Sequence, residues 1–366
     1  MRIGIFGGSF NPPHIGHVSA AETAAKQNSI DKLIIIPTGI PPHKDLPDGT
    51  PSPEARLKMT KNAFAGLDNV KVSDMEIHSR KRNYTVDSVK EIKDEYTDSE
   101  LMLLVGTDMY NSLDTWKDSA DLLKSVTPVL LSRDIVNISS SELREMLPKR
   151  KGSQYLKDSN YAYIIKHRLY NAKPNWDWLR EKAHLQLNPL RIPHVDACEA
   201  EVQLLAKHWG VDADDAREAA ILHDITKKLD FSQNMCIIAE HGKDFNNIKK
   251  HEEKLLHSIT GALLAKSEYG VSDNVASAIK WHTTGKSQMS MLEKIVYIAD
   301  YIEATRDFPG VDNLRRLAYE DIDKAMVTGL EMTVSDLTAR GIVPNASTFE
   351  ALQDLKNQAP ITREVI

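Results

Sequence analysis

A glycine-rich segment near the N-terminus contains two histidines three residues apart, in the run Gly7-Gly8-Ser9-Phe10-Asn11-Pro12-Pro13-His14-Ile15-Gly16-His17. Glycines allow a ligand to approach the backbone closely, because no Cβ stands in the way. A helix that begins within this run would direct free N–H groups and the positive end of its dipole towards a phosphate. On its first turn, His14 and His17 could face that phosphate and stabilise the charge that develops on phosphorus. The segment therefore predicts phosphoryl-type transfer by positioning and electrostatics, without a protein nucleophile.

A second segment of phosphate-binding type follows in the same half of the chain, Ile138-Ser139-Ser140-Ser141-Glu142-Leu143-Arg144. A serine cap would start a helix here, its hydroxyl and N–H groups suit a phosphate, and Arg144 would neutralise the phosphate charge. Each segment alone has an ordinary alternative: packing or surface histidines in the first, and helix capping without a ligand in the second. Their occurrence together favours the phosphate interpretation.

The second half of the chain concentrates imidazoles and carboxylates on predicted helices. The candidate metal ligands are His194, His223, Asp224, His257, His282 and Asp300. This mixed set suits Fe, Mn or Zn better than Ca, and the adjacent His223 and Asp224 could serve two metal ions with Asp224 as the bridge. Two metal ions would activate a water for attack on phosphorus. Lys227, one turn after Asp224, and Arg306, two turns after Asp300, could hold substrate phosphates.

Other residues of these types are assigned no role. A single histidine is more often packed or exposed than a ligand, which applies to His208, His241 and His251. Cys198 falls one turn after His194, and we interpret it as a small buried residue rather than a ligand.

The elements that must position the first set of residues alternate between strands and helices up to about residue 172. The predicted strands are Arg2–Phe6, Lys32–Pro37, Val70–Val72, Leu101–Val105 and Pro128–Leu131. The predicted helices between them are Ile15–Asn28, Pro53–Phe64, Thr85–Glu95 and Ser112–Lys124. This alternation predicts an α/β fold, a doubly wound parallel sheet with helices on both faces and its ligands at the carboxyl ends of the strands.

Helical periodicity replaces the strands from about Asn175 onward, which predicts an all-α second domain. Its predicted helices are Val195–Trp209, Ala213–His223, Glu252–Tyr269, Asn274–Trp281, Met291–Glu303 and Leu314–Ala339. The boundary falls in the short polar run Asn171–Asn175, which contains a helix-breaking proline. We therefore expect one domain over residues 1–172 and a second over residues 173–366.

Composition excludes several classes of protein. The 366 residues are 41% hydrophobic and 27% charged, typical of a globular protein, and the net charge of -6 argues against a nucleic-acid-binding surface. No apolar run reaches the roughly 20 residues that span a bilayer. Met1–Phe6 enters a strand rather than a signal peptide, and only two cysteines occur. We expect a cytoplasmic protein that binds neither nucleic acid nor membrane, and a homo-oligomer remains open.

The two N-terminal segments together resemble the nucleotidyltransferase superfamily of adenylyl- and cytidylyltransferases. Further runs are similar to its nicotinate-nucleotide adenylyltransferase family: Pro41-Pro42-His43-Lys44, Asn83-Tyr84-Thr85-Val86-Asp87, Gly106-Thr107-Asp108 and Trp116. The resemblance covers roughly residues 1–170. It implies a Rossmann-like fold and the reaction of ATP, with Mg²⁺, and nicotinate mononucleotide to give deamido-NAD and pyrophosphate.

The same resemblance implies a role for each matching residue. The ATP phosphates would be faced by His14, His17, Lys44, Ser140 and Arg144, beside the backbone of Gly7, Gly8, Ser9, Phe10, Ser139 and Ser141. Thr85, Trp116 and the Pro41–Lys44 loop would hold the nicotinate nucleotide, and Gly106 and Asp108 the adenosine. The chain departs from the family between Arg133 and Ile138, where only Asp134–Asn137 replace an expected strand and helix. Part of the nucleotide pocket wall, including the role of Arg133, is therefore expected to differ.

The second half resembles the HD phosphohydrolase superfamily over roughly residues 176–355. The runs that carry this resemblance are Ile221–Lys227, Leu256-His257-Ser258, Trp281-His282-Thr283-Thr284-Gly285 and Tyr297–Glu303. They are similar to the HD-type symmetrical diadenosine tetraphosphatases, which implies hydrolysis of diadenosine tetraphosphate to two ADP. Two metal ions would be bound, Fe or alternatively Mn or Zn.

The leading hypothesis is a bifunctional enzyme with both activities. A second hypothesis keeps the transferase and makes the helical half a regulatory module that senses nucleotides. A third keeps both halves catalytic with other substrates, for example a pantetheine-phosphate or nicotinamide nucleotide acceptor. A purely structural or nucleic-acid-binding protein explains neither set of residues.

Overall fold

The computed structural model describes residues 1–42, 45–79, 81–131, 136, 138–242 and 250–358. The chain forms two compact units, Met1–Asn175 and the part from Trp176 onward. No helix in the described ranges is long and apolar enough to cross a bilayer.

The first unit is built on a parallel sheet of five described strands. They are β1 (Arg2–Gly8), β2 (Lys32–Pro37), β3 (Val70–Val72), β4 (Glu100–Val105) and β5 (Thr127–Leu130). Their order is β3-β2-β1-β4-β5, and Ile3 of β1 pairs with Lys32 on one side and Leu101 on the other. The order reverses direction between β1 and β4, which creates a crevice at their carboxyl ends. The predicted doubly wound sheet is confirmed.

Helices cover both faces of this sheet. They are α1 (Ile15–Gln27), α2 (Pro53–Phe64), α3 (Thr85–Glu95), α4 (Thr107–Tyr110), α5 (Ser119–Ser125), α6 (Ser140–Met146) and α7 (Asp158–Lys166). On one face Leu103 of β4 packs in a cluster with Val89 of α3, and on the other Leu104 packs in a cluster with Phe64 of α2. The side chains of adjacent strand residues point to opposite faces of the sheet. The continuous apolar runs of β2 and β4 therefore contribute buried side chains to both faces.

One predicted helix of this unit is wrong. The sequence predicts Ser112–Lys124 as a single helix, but α5 begins only at Ser119, and Leu113–Thr115 form a separate 3₁₀ turn. Asp118 between them has a left-handed backbone conformation, with φ of 50°. An α-helix does not continue through such a residue.

The second unit is helical, as predicted. Its helices are α8 (Trp176–Gln186), α9 (Ile192–Trp209), α10 (Ala213–Leu222), α11 (Phe231–Glu240), α12 (Leu256–Tyr269), α13 (Asp273–Trp281), α14 (Met291–Ile302), α15 (Val311–Glu320), α16 (Ile322–Ala339) and α17 (Ala346–Gln358). Helix α14 is buried along most of its length and packs against α9, α13 and α16. Because α14 lies in the core, residues at its C-terminal end are shielded from water.

The predicted helix Leu314–Ala339 is also wrong, since it is divided between α15 and α16. Asp321 at the division is extended (φ −158°, ψ 98°), and its side chain accepts a hydrogen bond from the backbone N–H of Lys324. Asp321 therefore ends one helix and caps the next.

Candidate functional site

A cavity of about 760 Å³ opens in the first unit where β1 and β4 end. The predicted nucleotide-site residues that line it are Gly7, Gly8, Ser9, Phe10, His14, His17, Thr85, Gly106, Trp116, Ser139 and Ser140. Asp108, Ser141 and Arg144 are not in its lining. Lys44, Arg133 and most of the shortened segment Asp134–Asn137 lie outside the described residues. The cavity thus brings together both serine- and glycine-rich segments at the crevice of the sheet.

The hydrogen bonding of His17 fixes its tautomer. The backbone N–H of His14, which is extended and precedes α1, donates to His17 Nδ1 at 3.2 Å. Nδ1 therefore carries a lone pair, and the ring proton of neutral His17 lies on Nε2. His17 can donate from Nε2 to an anionic ligand while it caps its own helix.

His14 is held in a different state. Its side chain is buried against that of His17, with ring centroids 3.8 Å apart, and its Nδ1 has no hydrogen-bond partner among the described residues. Burial lowers the pKa of His14 to about 4, so the ring is neutral at pH 7. A Cβ on Gly16 would lie 3.0 Å from His14 Nδ1, which explains why the motif has glycine there.

The second serine-rich segment docks onto the loop that follows β1. Ser140 Oγ donates to the carbonyl of Pro12 at 2.9 Å, and the Arg144 guanidinium donates to the carbonyl of Asn11 at 2.6 Å. Ser139 caps α6 by accepting from the N–H of Glu142. These hydrogen bonds join the two segments directly, and the Ser140 contact spans 128 residues of sequence. Arg144 binds the loop backbone in this structure rather than lining the cavity.

The cavity wall also contains a buried carboxylate that the sequence does not predict. Glu76 lines the cavity and is 7% exposed. Burial raises the pKa of Glu76, and the hydrogen bond that Ser88 Oγ donates to it at 2.6 Å opposes this effect. In the sequence, no local pattern around Glu76 distinguishes it from other acidic residues. Its position in the cavity wall depends on how distant segments of the unit pack together.

In the second unit, the side chain of Asp224 lies among three imidazoles. Asp224 Oδ1 is 3.2 Å from His257 Nε2 and 3.6 Å from His282 Nε2. Asp224 Oδ2 is 3.5 Å from His223 Nε2. His194 Nε2 lies 3.2 Å from Asp300 Oδ1. The structure therefore brings all six predicted metal ligands together.

The Nδ1 atoms of three histidines bind backbone carbonyls of their own helical turns. His223 Nδ1 lies 2.7 Å from the carbonyl oxygen of Ala220, and His257 and His282 make equivalent 2.7 Å contacts with Lys254 and Ile279. A carbonyl oxygen only accepts, so each Nδ1 carries a proton and each neutral ring keeps a lone pair on Nε2. These lone pairs are directed at the space around Asp224, as metal ligation requires.

His194 is oriented by a carboxylate instead. Its Nδ1 lies 3.0 Å from Oε1 of Glu303, whose side chain has no exposed surface. Glu303 also accepts from the N–H and the hydroxyl of Thr305, both at 2.6 Å. Burial by itself raises the pKa of Glu303, but the hydrogen bonds from Thr305 and His194 hold it below its usual value. The sequence alone predicts no role for Glu303.

The donor atoms fit a metal ion better than they fit each other. His223 Nε2 and both carboxylate oxygens of Asp224 are buried and lack a hydrogen bond of good geometry among the described residues. Ligand atoms of His223, Asp224 and His282 lie within 4.8 Å of one another, as do those of His194, Cys198, His223 and Asp300. A buried polar atom without a hydrogen bond is costly, and a cation next to His223 Nε2 would remove that cost.

Electrostatics keep the carboxylates ionised. Burial by itself raises the pKa of Asp224, but the adjacent His223 holds it well below its usual range. The pKa of Asp300 is also held low, because the His194 contact outweighs burial. Burial raises the pKa of the Cys198 thiol, which favours the protonated form and agrees with its interpretation as a packed residue.

Three cationic side chains surround this cluster. Lys227 Nζ lies 3.7 Å from Asp224 Oδ1 and 2.9 Å from His257 Nε2. The guanidinium of Arg306 lies 2.6 Å from Asp300 Oδ1, and that of Arg191 contacts Asp224 Oδ2. Lys227 and Arg306 were predicted, whereas Arg191 was missed, because it precedes the first recognisable motif residue of the helix. Together they favour anionic ligands next to the histidine cluster.

In comparisons with known proteins, a different family matches each half of the chain. The Cytidylyltransferase-like family matches residues 5–146, and the HD domain family matches residues 191–305. The chain is similar to a probable nicotinate-nucleotide adenylyltransferase of Shouchella clausii, with 36% identity over 183 residues, which are 46% of this chain and 95% of the relative.

Two further similarities involve the second half. A probable nicotinate-nucleotide adenylyltransferase/Ap4A hydrolase of Mycoplasma genitalium is 29% identical over 346 residues, 90% of this chain and 97% of the relative. Among solved structures, a predicted HD superfamily hydrolase involved in NAD metabolism from Clostridium acetobutylicum is 34% identical, covering 50% of this chain and 97% of its own, with a TM-score of 0.47. The two family matches confirm the resemblance of the first half to the nucleotidyltransferases and of the second half to the HD superfamily.

Proposed function

Since the chain belongs to the nicotinate-nucleotide adenylyltransferase family and carries an HD domain after it, we propose that it is a bifunctional enzyme. Its first unit joins ATP to nicotinate mononucleotide, and its second unit hydrolyses diadenosine tetraphosphate to two ADP. The observation that carries this proposal is the pairing of two built sites in one chain, the cavity at β1 and β4 and the histidine cluster around Asp224.

In the transferase reaction, a phosphate oxygen of nicotinate mononucleotide attacks the α-phosphorus of ATP, and the bond to the departing pyrophosphate breaks. The Nε2–H of His17 donates to a phosphate oxygen as charge develops on it. Neutral His14 fills the base of the same turn without adding charge. Mg²⁺, bound together with ATP, would supply further neutralisation of the phosphate charge. Thr85 and Trp116 hold the nicotinate, whose carboxylate suits backbone N–H donors better than an amide would.

In the hydrolase reaction, water adds to a phosphorus of the tetraphosphate, one P–O–P bridge breaks, and two ADP leave. Two metal ions, Fe or alternatively Mn or Zn, would be held by His194, His223, Asp224, His257, His282 and Asp300, and supply Lewis-acid activation of that water. Lys227 and Arg306 hold the anionic chain next to the ligands. The Mycoplasma genitalium relative, which is similar along 90% of this chain, supports diadenosine tetraphosphate as the substrate.

Product analysis by chromatography tests the two halves separately. Metal-replete protein is incubated with diadenosine tetraphosphate, or with ATP and nicotinate mononucleotide, beside a His223→Ala/Asp224→Ala variant. ADP as the sole hydrolysis product, abolished in the variant while deamido-NAD formation persists, would support both activities. Intact tetraphosphate with normal deamido-NAD formation would leave the helical unit as a nucleotide sensor or a hydrolase of another substrate.

A further inference from the structure

A buried arginine of α2 lies behind the cavity of the first unit. The side chain of Arg56 is 1% exposed, and one terminal nitrogen donates to the carbonyls of Ser9 at 2.8 Å and Thr38 at 2.7 Å. The other terminal nitrogen donates to the carbonyl of Gly39 at 3.0 Å. Among the residues that the structure describes, its Nε has no partner and no carboxylate forms an ion pair with it.

A buried cation whose partners are neutral carbonyls is an expensive arrangement. A buried guanidinium is ordinarily paired with a carboxylate, because dipoles replace the lost hydration of a charge only in part. An apolar residue of similar length would fill the same space without this cost. The loops to which the three carbonyls belong therefore indicate the structural role of Arg56.

The three carbonyls belong to two different loops. Ser9 lies in the turn after β1, on the side where the ATP phosphates are proposed to bind, and Thr38 and Gly39 lie directly after β2, in the loop that leads to Pro41 and Pro42. The planar fork of an arginine presents its donors in a rigid geometry, whereas a lysine ammonium offers three donors on a flexible stem and holds such segments less firmly. Arg56 is thus a bridge between the two loops.

The bridge also sets the direction of peptide groups. The Ser9–Phe10 peptide is trans, so anchoring the Ser9 carbonyl on Arg56 turns the N–H of Phe10 to the opposite side. The Gly39 carbonyl is anchored in the same way, and the following N–H of Ile40 donates to Asn83 Oδ1 at 3.1 Å.

There is little room for the second loop to move. A Cβ on Gly39 would lie 2.1 Å from the carbonyl oxygen of Glu76, so the backbone already runs in close contact with the wall of the cavity. A change in the anchor at Arg56 is therefore transmitted to the loop as a shift or rotation along the cavity.

We propose that Arg56 is a positioning residue for nucleotidyl transfer, which fixes the loop that binds ATP relative to the loop that binds the acceptor nucleotide. This inference rests on the proposed transferase function. Arg56 does not touch either substrate; it sets the distance between attacking oxygen and phosphorus. Misplacement of reacting groups by about 1 Å costs on the order of 10²-fold in rate.

The test compares Arg56→Met and Arg56→Lys with the wild-type full-length chain. Deamido-NAD formation gives kcat and the KM for each substrate, and the melting temperature reports on folding. Arg150→Met is the matched control, because Arg150 also donates to a backbone carbonyl of the same unit, that of Pro174 at 2.7 Å, and does not line the cavity.

For Arg56→Met we expect kcat to fall about 100-fold with both KM values within about threefold, and Arg56→Lys to recover about tenfold of that loss. Arg150→Met is expected to keep its kcat. Unchanged kcat in Arg56→Met, or KM increases as large as the loss of kcat, would overturn the inference. If Arg56→Met does not fold, a wild-type kcat in Arg56→Lys overturns it equally. A wild-type chain that forms no deamido-NAD would overturn the transferase proposal itself.

Discussion

His194 Nδ1 lies 3.0 Å from Oε1 of Glu303, across 109 residues of sequence, in a part of the second unit without solvent access. A carboxylate that accepts from the outer nitrogen of a ligand histidine fixes its tautomer and raises its basicity as a ligand. The other three histidines use backbone carbonyls for this purpose. We therefore expect the metal affinity of the proposed site to depend on Glu303, which orients His194 without itself being a proposed ligand.

We expect Glu303→Gln to lower metal affinity by about 10- to 100-fold, because the amide is a weaker acceptor and leaves the histidine less basic. The measurement is metal content after dialysis against a weak chelator, followed by titration calorimetry. Glu293→Gln is the control: Glu293 is equally buried in α14 but caps the start of that helix through Ser290. Equal metal retention in Glu303→Gln and wild type would show that the contact is dispensable.

Replacing His17 tests the transferase site. In His17→Ala the proposed Nε2–H donor is lost, and we expect kcat for deamido-NAD formation to fall about 10²- to 10³-fold, as for removal of one preorganised donor. The melting temperature of the chain should be close to that of the wild type, which serves as the folding control. A kcat within threefold of wild type would exclude His17 as a donor to the transition state.

His14 makes the stability of the first unit depend on pH in a definite direction. The pKa of His14 is about 4 in the folded chain, against the ordinary value of 6.5 that applies when the chain is unfolded. Between these values the unfolded chain binds more protons, so stability is complete above pH 6.5 and is lost as the pH falls. The loss reaches about 3 kcal/mol at pH 4.

The measurement is a proton NMR titration of the ring signals of His14, which His14→Asn identifies by their disappearance. Urea unfolding of the same two proteins at several pH values then gives the contribution to stability. The wild-type chain should lose more stability than His14→Asn between pH 6.5 and pH 4. A ring that titrates near pH 6.5, with parallel stability curves, would contradict the buried neutral state.

Substitutions at two glycines should distinguish a glycine that the ligand approaches from a glycine that the fold requires. A Cβ on Gly7 would meet nothing within 4 Å, yet Gly7 lines the cavity, whereas a Cβ on Gly39 would collide with the Glu76 backbone. We expect Gly7→Ala to fold with a normal melting temperature and to raise the KM for ATP at least tenfold. Gly39→Ala should lower the melting temperature. An unchanged KM in Gly7→Ala would mean that ATP does not approach that backbone.

The local features of this chain could be read from sequence, and the long-range ones could not. Helix α2 begins at Pro53 after Ser52, whose Oγ accepts from the N–H of Ala55 (3.2 Å), a start signal contained in four residues. The division at Asp321 was missed because buried residues continue at helical spacing through it: Leu314, Ala318, Ile322 and Ala325. Apolar periodicity cannot reveal a break that keeps the same buried face.

The functional residues also divide into those that local sequence reveals and those that depend on long-range contacts. Five of the proposed metal ligands stand in short runs of recognisable neighbours: His223, Asp224, His257, His282 and Asp300. Glu303 and Arg56 were missed as functional groups because their partners lie far away in sequence: His194 for the first, and Ser9, 47 residues distant, for the second. The role of such residues becomes apparent only when distant segments are packed together in the folded chain.

The carbonyl contacts of His223, His257 and His282 bear on how this domain tolerates changes in length. Each of these rings takes its orientation from the residue three positions earlier, so each ligand is complete within one turn of chain. Insertions or deletions in the segments that join their helices should leave ring orientation intact. His194 has no such independence, because its orientation is supplied by the end of α14. Changes in loop length should therefore leave three of the proposed ligands correctly oriented, whereas the orientation of His194 requires both α9 and the end of α14.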